Sequence, residues 1–244
     1  CELLTRLGHD VHTVIVVTPY SFGRLNQLLL RRGVPGLWQA VKKMFLGGNV
    51  DGGIGPMTQF LLAESITFDS LKKWCQESGV KYQLVKSINS LPAISAPNTC
   101  DPNATIYAGG GILRRAFIKA ANGNIVNPHS GPLPEVRGMN AIEWTILLGY
   151  DPSITVHLID GGIDTGEILS KVALPLKSDD RVTDIRERAV VTGIKEIVSI
   201  FNGLCDLDDL VRYENLGGAG RQSYVMSTVI GELLEYKLKQ KSAT

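Results

Sequence analysis

The stretches NPHSGPLPEVR, at 127–137, and IDGGIDTG, at 159–166, decide which fold and which chemistry this sequence predicts. They hold one amide, one imidazole and one carboxylate, those of Asn127, His129 and Asp164, in segments rich in Gly and Pro. An amide donates hydrogen bonds to a developing oxyanion, an imidazole moves protons near neutral pH, and a carboxylate orients an imidazole. We expect transfer of an acyl group if the fold brings the three side chains together.

Both stretches follow predicted strands, NIV at 124–126 and SITVHLID at 153–160, with a predicted helix at 141–149 between them. Helical and short apolar strand segments alternate along most of the chain, a pattern typical of βαβ units. The sequence therefore predicts an α/β, Rossmann-like fold, with a mostly parallel sheet and helices on both faces. Because ligands of open α/β sheets bind outside the carboxyl ends of the strands, we expect both stretches to line one site.

Several local predictions accompany this fold. Residues 1–10 resemble the end of a helix, which predicts that a first strand is missing from the sequence. The prolines of 86–103 predict a loop, and Asn140 with Glu143 resembles a capping box. We expect a catalytic domain over 1–180 and a mainly helical extension over 181–244, packed on the same domain.

Composition limits the possible partners and location. A net charge of +1 provides no strong field for nucleic acid, so no nucleic-acid partner is expected. No apolar run reaches the roughly 18 residues of a membrane span, so no stable membrane insertion is expected. The four cysteines are far apart and predict neither a disulfide framework nor a metal site, which favours reduced thiols and a cytoplasmic location.

Each candidate residue also has a common structural explanation. A His in a loop is usually a surface residue, and an Asp between glycines usually forms a turn. We interpret His157, in mid-strand, as structural, and His9 and His12 as surface residues. The glycine runs match neither the P-loop nor the dinucleotide fingerprint, which excludes both motifs.

The two stretches resemble the pattern of the 10-formyltetrahydrofolate-dependent formyltransferases: N-x-H-x-S-x-L-P-x-x-R-G, a helix, T-x-H, and a loop ending close to L-D-T-G. The chain has N-P-H-S-G-P-L-P-E-V-R-G at 127–138 and T-V-H-L-I-D-G-G-I-D-T-G at 155–166. The usual serine two positions after the histidine is Gly131. The family includes methionyl-tRNA, glycinamide ribonucleotide and sugar N-formyltransferases.

The resemblance implies a role for each residue of the pattern. Asn127 would bind the formyl oxygen, His129 would stabilise the oxyanion and assist proton transfer, and Asp164 would orient His129 and help deprotonate the attacking amine. One wall of the folate pocket would be formed by Gly111, Ile112 and Leu113. The other wall would be formed by Ile159, Asp160, Gly161, Gly162 and Ile163.

The resemblance therefore implies transfer of a formyl group from 10-formyltetrahydrofolate to a small amine, preferably an amino sugar or a nucleotide-linked amine. Methionyl-tRNA, glycinamide ribonucleotide, and water in a hydrolase remain alternative acceptors. A different class, a non-catalytic folate-binding or membrane-associated module, would use the basic stretch 24–43. The oligomeric state stays open.

Overall fold

The structure is a computed structural model that describes residues 1–18, 54–67, 70–100, 102–109, 111–204, 207–216 and 220–241. The basic stretch 24–43 lies outside the described residues, and its role stays a prediction. Within the described ranges, no helix is both long enough and apolar enough to cross a bilayer.

The described residues form helices and strands that alternate along the chain. The helices are α1 Glu2–Arg6, α2 Pro56–Ala63, α3 Leu71–Glu77, α4 Leu91–Cys100, α5 Arg115–Ala120, α6 Ala141–Leu148, α7 Val182–Phe201 and α8 Thr228–Lys241. The strands are β1 Thr13–Val17, β2 Lys81–Val85, β3 Thr105–Ile106, β4 Ile125–His129, β5 Val136–Gly138, β6 Ser153–Leu158, β7 Ile168–Ala173 and β8 Arg221–Ser223.

The strands pair in both directions. Strands β1 and β2 are parallel, as are β3 and β4, and β5 and β8. The order β3-β4-β6-β7 forms a four-stranded sheet in which β4–β6 and β6–β7 are antiparallel. The predicted α/β class with mostly parallel pairing is therefore confirmed. The prediction that both stretches follow parallel strands is wrong, because a helix between two strands does not determine the direction of the second.

Two local predictions are also wrong. Helix α4 occupies part of the predicted loop 86–103. Its Pro92 lies in the first helical turn, where no backbone N–H is needed, and Pro97 is buried. Asn140 forms no capping box, because it adopts a left-handed conformation, with φ of 52°. Its amide instead donates to the Glu143 carboxylate at 2.8 Å.

Helix α7 supports the sheet from behind the predicted site. Its apolar face buries Ile185 and Ala189 with β6 residue Ile154, which removes apolar surface from water. Gly193 lets the helix approach β4 closely, since a Cβ there would lie 3.0 Å from the Cβ of Pro128. The backbone between Asn127 and His129 therefore rests on α7. The domain boundary at 180 stays a prediction.

Candidate functional site

The site is built on the antiparallel pair β4 and β6. Asn127 lies opposite His157 in the register, and His129 lies opposite Thr155. Directly opposed residues of an antiparallel pair have neighbouring side chains, and residues two apart share a face. The four side chains therefore occupy one face of the two strands.

Asp164 reaches this face from the loop after β6. Its Oδ2 lies 3.5 Å from Nδ1 of His129, and its Oδ1 lies 3.6 Å from Nε2 of His157. Oδ2 also accepts a hydrogen bond from the Gly138 backbone N–H at 2.7 Å. The structure thus brings Asn127, His129 and Asp164 together, although their chemical roles stay predictions.

The backbone at Asp164 is in the left-handed region, with φ of 52°. This conformation costs an L-residue roughly 1–2 kcal/mol, and Asp and Asn adopt it more readily than most residues. The loop therefore needs contacts that hold this turn. The Gly138 N–H is one of them.

His157 contacts two of the predicted catalytic groups, which the sequence interpretation missed. It is 1% exposed, its Nδ1 donates to the Leu158 carbonyl at 2.7 Å, and its Nε2 accepts from the Asn127 amide at 3.0 Å. Burial lowers the pKa of His157 to about 4, and the neighbouring His129 acts in the same direction, while Asp164 opposes it. A neutral His157 therefore orients the Asn127 amide. The T-x-H element of the sequence pattern was the signal for this residue.

His129 has a polar partner at each ring nitrogen. Nε2 donates to the Val136 carbonyl at 2.9 Å, and Nδ1 faces the Asp164 carboxylate. A ring that carries hydrogen on both nitrogens satisfies both acceptors. The arrangement is therefore suited to an imidazole that gains positive charge during a reaction.

The serine of the family pattern would be tightly packed at position 131 and would require its neighbours to shift by a few tenths of an ångström. A Cβ on Gly131 would lie 3.1 Å from His129 Nε2 and 3.0 Å from the Cβ of Ala141. The loop also bends toward β6, where the Thr155 hydroxyl donates to the Gly131 carbonyl at 2.8 Å. Because residue 131 is a glycine instead of the serine of the family pattern, the loop packs directly against the His129 imidazole.

The first predicted folate wall, Gly111 to Leu113, is held by a residue that sequence reasoning missed. The Asn89 amide donates to the Ile112 carbonyl at 2.9 Å, and its Oδ1 accepts from the Arg114 N–H at 2.8 Å. The Leu113 side chain is buried, and that of Ile112 is 70% exposed. This wall therefore presents backbone and one exposed apolar side chain.

The second predicted wall, 159–163, is a tight turn. Oδ1 of Asp160 accepts from the Gly162 N–H at 2.9 Å and from the Thr165 hydroxyl at 2.6 Å. Gly161 is exposed, and the Ile163 carbonyl accepts from the Arg137 guanidinium at 3.3 Å. Ile159 and Asp160 also line a cavity of about 500 Å³, but that cavity includes neither the first predicted wall nor any of the three predicted catalytic residues.

Residues 98–200 match the model of the family described as formyl transferase, and this range contains all three predicted catalytic residues. The methionyl-tRNA formyltransferase of Anaeromyxobacter dehalogenans strain 2CP-C is 29% identical over 124 residues, 50% of this chain and 40% of that protein. That of Pseudomonas paraeruginosa strain DSM 24068 / PA7 is 30% identical over 136 residues, 49% of this chain and 44% of that protein. The chain thus spans less than half the length of these curated relatives.

The fold matches a solved formyltransferase, PseJ from Anoxybacillus kamchatkensis, which was crystallised with UDP-4,6-dideoxy-4-formamido-L-AltNAc and tetrahydrofolate. The TM-score is 0.50 at 19% identity, and the match covers 62% of this chain and 79% of that chain. Residues 98–200 thus match the formyl transferase family model, and the fold of the chain is similar to that of a solved formyltransferase.

Proposed function

We propose that this chain transfers a formyl group from 10-formyltetrahydrofolate to the amine of a small acceptor. The observation that carries this proposal is the meeting of Asn127, His129 and Asp164 within the segment that matches the family model. A cytoplasmic location, predicted from the separated cysteines, is part of the same proposal.

The reaction exchanges one C–N bond for another. The acceptor amine attacks the formyl carbon, and the oxyanion that forms accepts a hydrogen bond from the Asn127 amide, whose orientation is set by His157. The amine loses one proton to the His129–Asp164 pair. The bond between the formyl carbon and the donor nitrogen then breaks, and that nitrogen gains one proton.

Positive charge on His129 would be stabilised by the Asp164 carboxylate, 3.5 Å away. Both residues are shielded, with side-chain exposures of 7% and 19%, so their interaction is screened less than it would be in water. The pair can therefore hold the proton after the new C–N bond forms and until the bond to the donor nitrogen breaks.

The proposed acceptor is an amino sugar or a nucleotide-linked amine. The formyl product bound to PseJ, a relative in fold, belongs to this class. Methionyl-tRNA is a second candidate, because the curated relatives named above are methionyl-tRNA formyltransferases. The chain's net charge of +1 favours the small acceptor, since tRNA binding draws on many phosphate contacts.

An acceptor screen tests the proposal. The chain is incubated with 10-formyltetrahydrofolate and, separately, a nucleotide-linked amino sugar, glycinamide ribonucleotide, methionyl-tRNA or no amine. Tetrahydrofolate release is followed together with the mass of the product. We expect release with the amino sugar, its loss in His129→Gln, and its retention in His12→Gln, a matched change at an exposed histidine.

The outcomes separate the alternatives. Formylation of methionyl-tRNA alone would replace the small acceptor by tRNA, and formate release without an amine would favour a hydrolase. No release of tetrahydrofolate under any condition would overturn the proposed activity.

A further inference from the structure

The segment after α7 contacts the Asp164 loop and the strand beside it. The backbones of Tyr213 and Ile168 exchange two hydrogen bonds, at 2.8 and 2.9 Å, just beyond the loop. The Gly220 carbonyl accepts from the Arg137 guanidinium at 3.1 Å, and β8 pairs with β5. These contacts come from residues beyond the 98–200 match. The loop is therefore supported by a part of the chain that the family match does not include.

Asn215 makes the most direct of these contacts. Its Nδ2 donates to the Asp164 carbonyl at 3.1 Å and to the Gly166 carbonyl at 2.9 Å. The two carbonyls bracket the end of the loop, where the chain leaves its left-handed turn at Asp164. A single amide thus ties both sides of the turn.

The oxygen of the Asn215 amide lies in an unfavourable environment. Its Oδ1 is buried and meets no donor among the residues that the structure describes. A buried acceptor without a partner destabilises a fold. The favourable hydrogen bonds of the Asn215 side chain are therefore the two that its Nδ2 donates, and both are donated to the Asp164 loop.

The same C-terminal segment also supports the group that binds the Asp164 carboxylate. That group is the Gly138 N–H in β5, and Gly138 is paired with Ser223 of β8. Gly138 has a φ of 95°, and a Cβ there would overlap the Ser223 carbonyl. Both the backbone and the carboxylate of Asp164 are thus held from the segment after α7.

We propose that Asn215 is a positioning residue that sets the Asp164 carboxylate against His129 and His157. The chemical role of Asp164 in this proposal rests on the proposed function. The geometric part, that Asn215 holds the Asp164 loop in place, does not depend on it. Loss of the two amide hydrogen bonds lets the turn at Asp164 relax and moves its carboxylate away from the imidazoles. Small displacements of catalytic groups lower turnover strongly.

The geometric part is tested by the ring-nitrogen NMR shifts of the histidines in uniformly ¹⁵N-labelled protein. The chain has four histidines, so the His129 and His157 signals can be assigned by substitution. We expect Asn215→Ala to move the His129 ring shifts in the same direction as Asp164→Asn. Asn103→Ala, a matched change at an exposed position, should leave them at the wild-type values.

The catalytic part is tested by steady-state kinetics with the best acceptor from the screen. We expect kcat of Asn215→Ala to fall about tenfold or more while KM for the formyl donor changes less than about threefold. Asn215→Ser keeps one hydroxyl donor and should recover part of both kcat and the His129 shifts. If the alanine variant does not fold, the serine variant is compared with wild type instead, and we expect smaller changes of the same kind in kcat and in the His129 shifts.

The outcomes distinguish this inference from the proposed function. Wild-type His129 shifts in a folded Asn215→Ala would overturn the positioning role, whatever the activity. Moved shifts in a chain that formylates no amine would support the positioning role and overturn the proposed function. A fall in kcat with unmoved shifts would also contradict the inference, because the effect would not pass through Asp164.

Discussion

The Asp164→Asn substitution isolates the charge that faces His129. Asparagine has nearly the same shape, tolerates the left-handed turn, and can accept the Gly138 N–H hydrogen bond with its remaining oxygen. The loop geometry should therefore survive, and the change in rate should report the lost charge.

The separation of the two groups gives the size of the effect. At 3.5 Å, two unit charges interact by ~5 kcal/mol at an effective dielectric constant of about 20. Asp164 is 19% exposed, and the proton is only partly transferred in the transition state. We therefore expect removal of the charge to raise the barrier by about half of this energy. A loss of ~2.5 kcal/mol corresponds to about a hundredfold lower kcat/KM.

The assay measures kcat/KM for tetrahydrofolate release, with the melting temperature as a check on folding. Asp151→Asn makes the same change at an exposed carboxylate and should stay within about twofold of wild type, because surface charges are well screened. A kcat/KM within threefold of wild type in a folded Asp164→Asn would refute the reasoning. An equal loss in Asp151→Asn would assign the effect to the overall field instead of the site.

Three further predictions follow from the same region. The native pKa of His157 is about 4, against about 6.5 in an unfolded chain, so its contribution to stability is complete above pH 6.5 and is lost as the pH falls to about 4. Urea unfolding should show wild type losing ~2 kcal/mol more than His157→Gln between pH 7 and pH 5. Gly138→Ala should lower the free energy of unfolding by about 2 kcal/mol more than Gly149→Ala, since both have positive φ but only the first would overlap a backbone carbonyl of β8. Gly131→Ser should lower kcat/KM about tenfold by pressing on His129, and unchanged turnover would show that the loop yields without moving the ring.

The local sequence pattern predicted the position of several side chains of the site. The spacing of Asn127 and His129 on a predicted strand implied a shared face, and the register of β4 shows them on one side. The resemblance to the formyltransferase pattern, and not the spacing, linked both to Asp164. The placement of these side chains agrees with the structure because it depends on neighbours in sequence or on a motif that spans both loops, and their catalytic roles stay predictions.

Other features depend on contacts between distant parts of the chain, which a local pattern does not encode. The antiparallel direction of β6 is one such feature, and the role of His157 depends on it because His157 lies opposite Asn127. Asn89 and Asn215 are single amides in ordinary loops, and each acquires its function from a carbonyl more than twenty positions away. Nothing in the local sequence separates them from surface asparagines.

The pairing of β4 with β6 also determines how the site responds to thermal motion. All six residues of β6 are buried, whereas Gly161 and Gly162 of the loop before Asp164 are exposed. We expect the strand amides to exchange with deuterium only through global unfolding, and the loop amides through local opening. The Asn127 amide would then stay in place while the exposed Gly161–Gly162 part of the loop opens and closes, so a bulky ligand can enter and leave without displacing that amide.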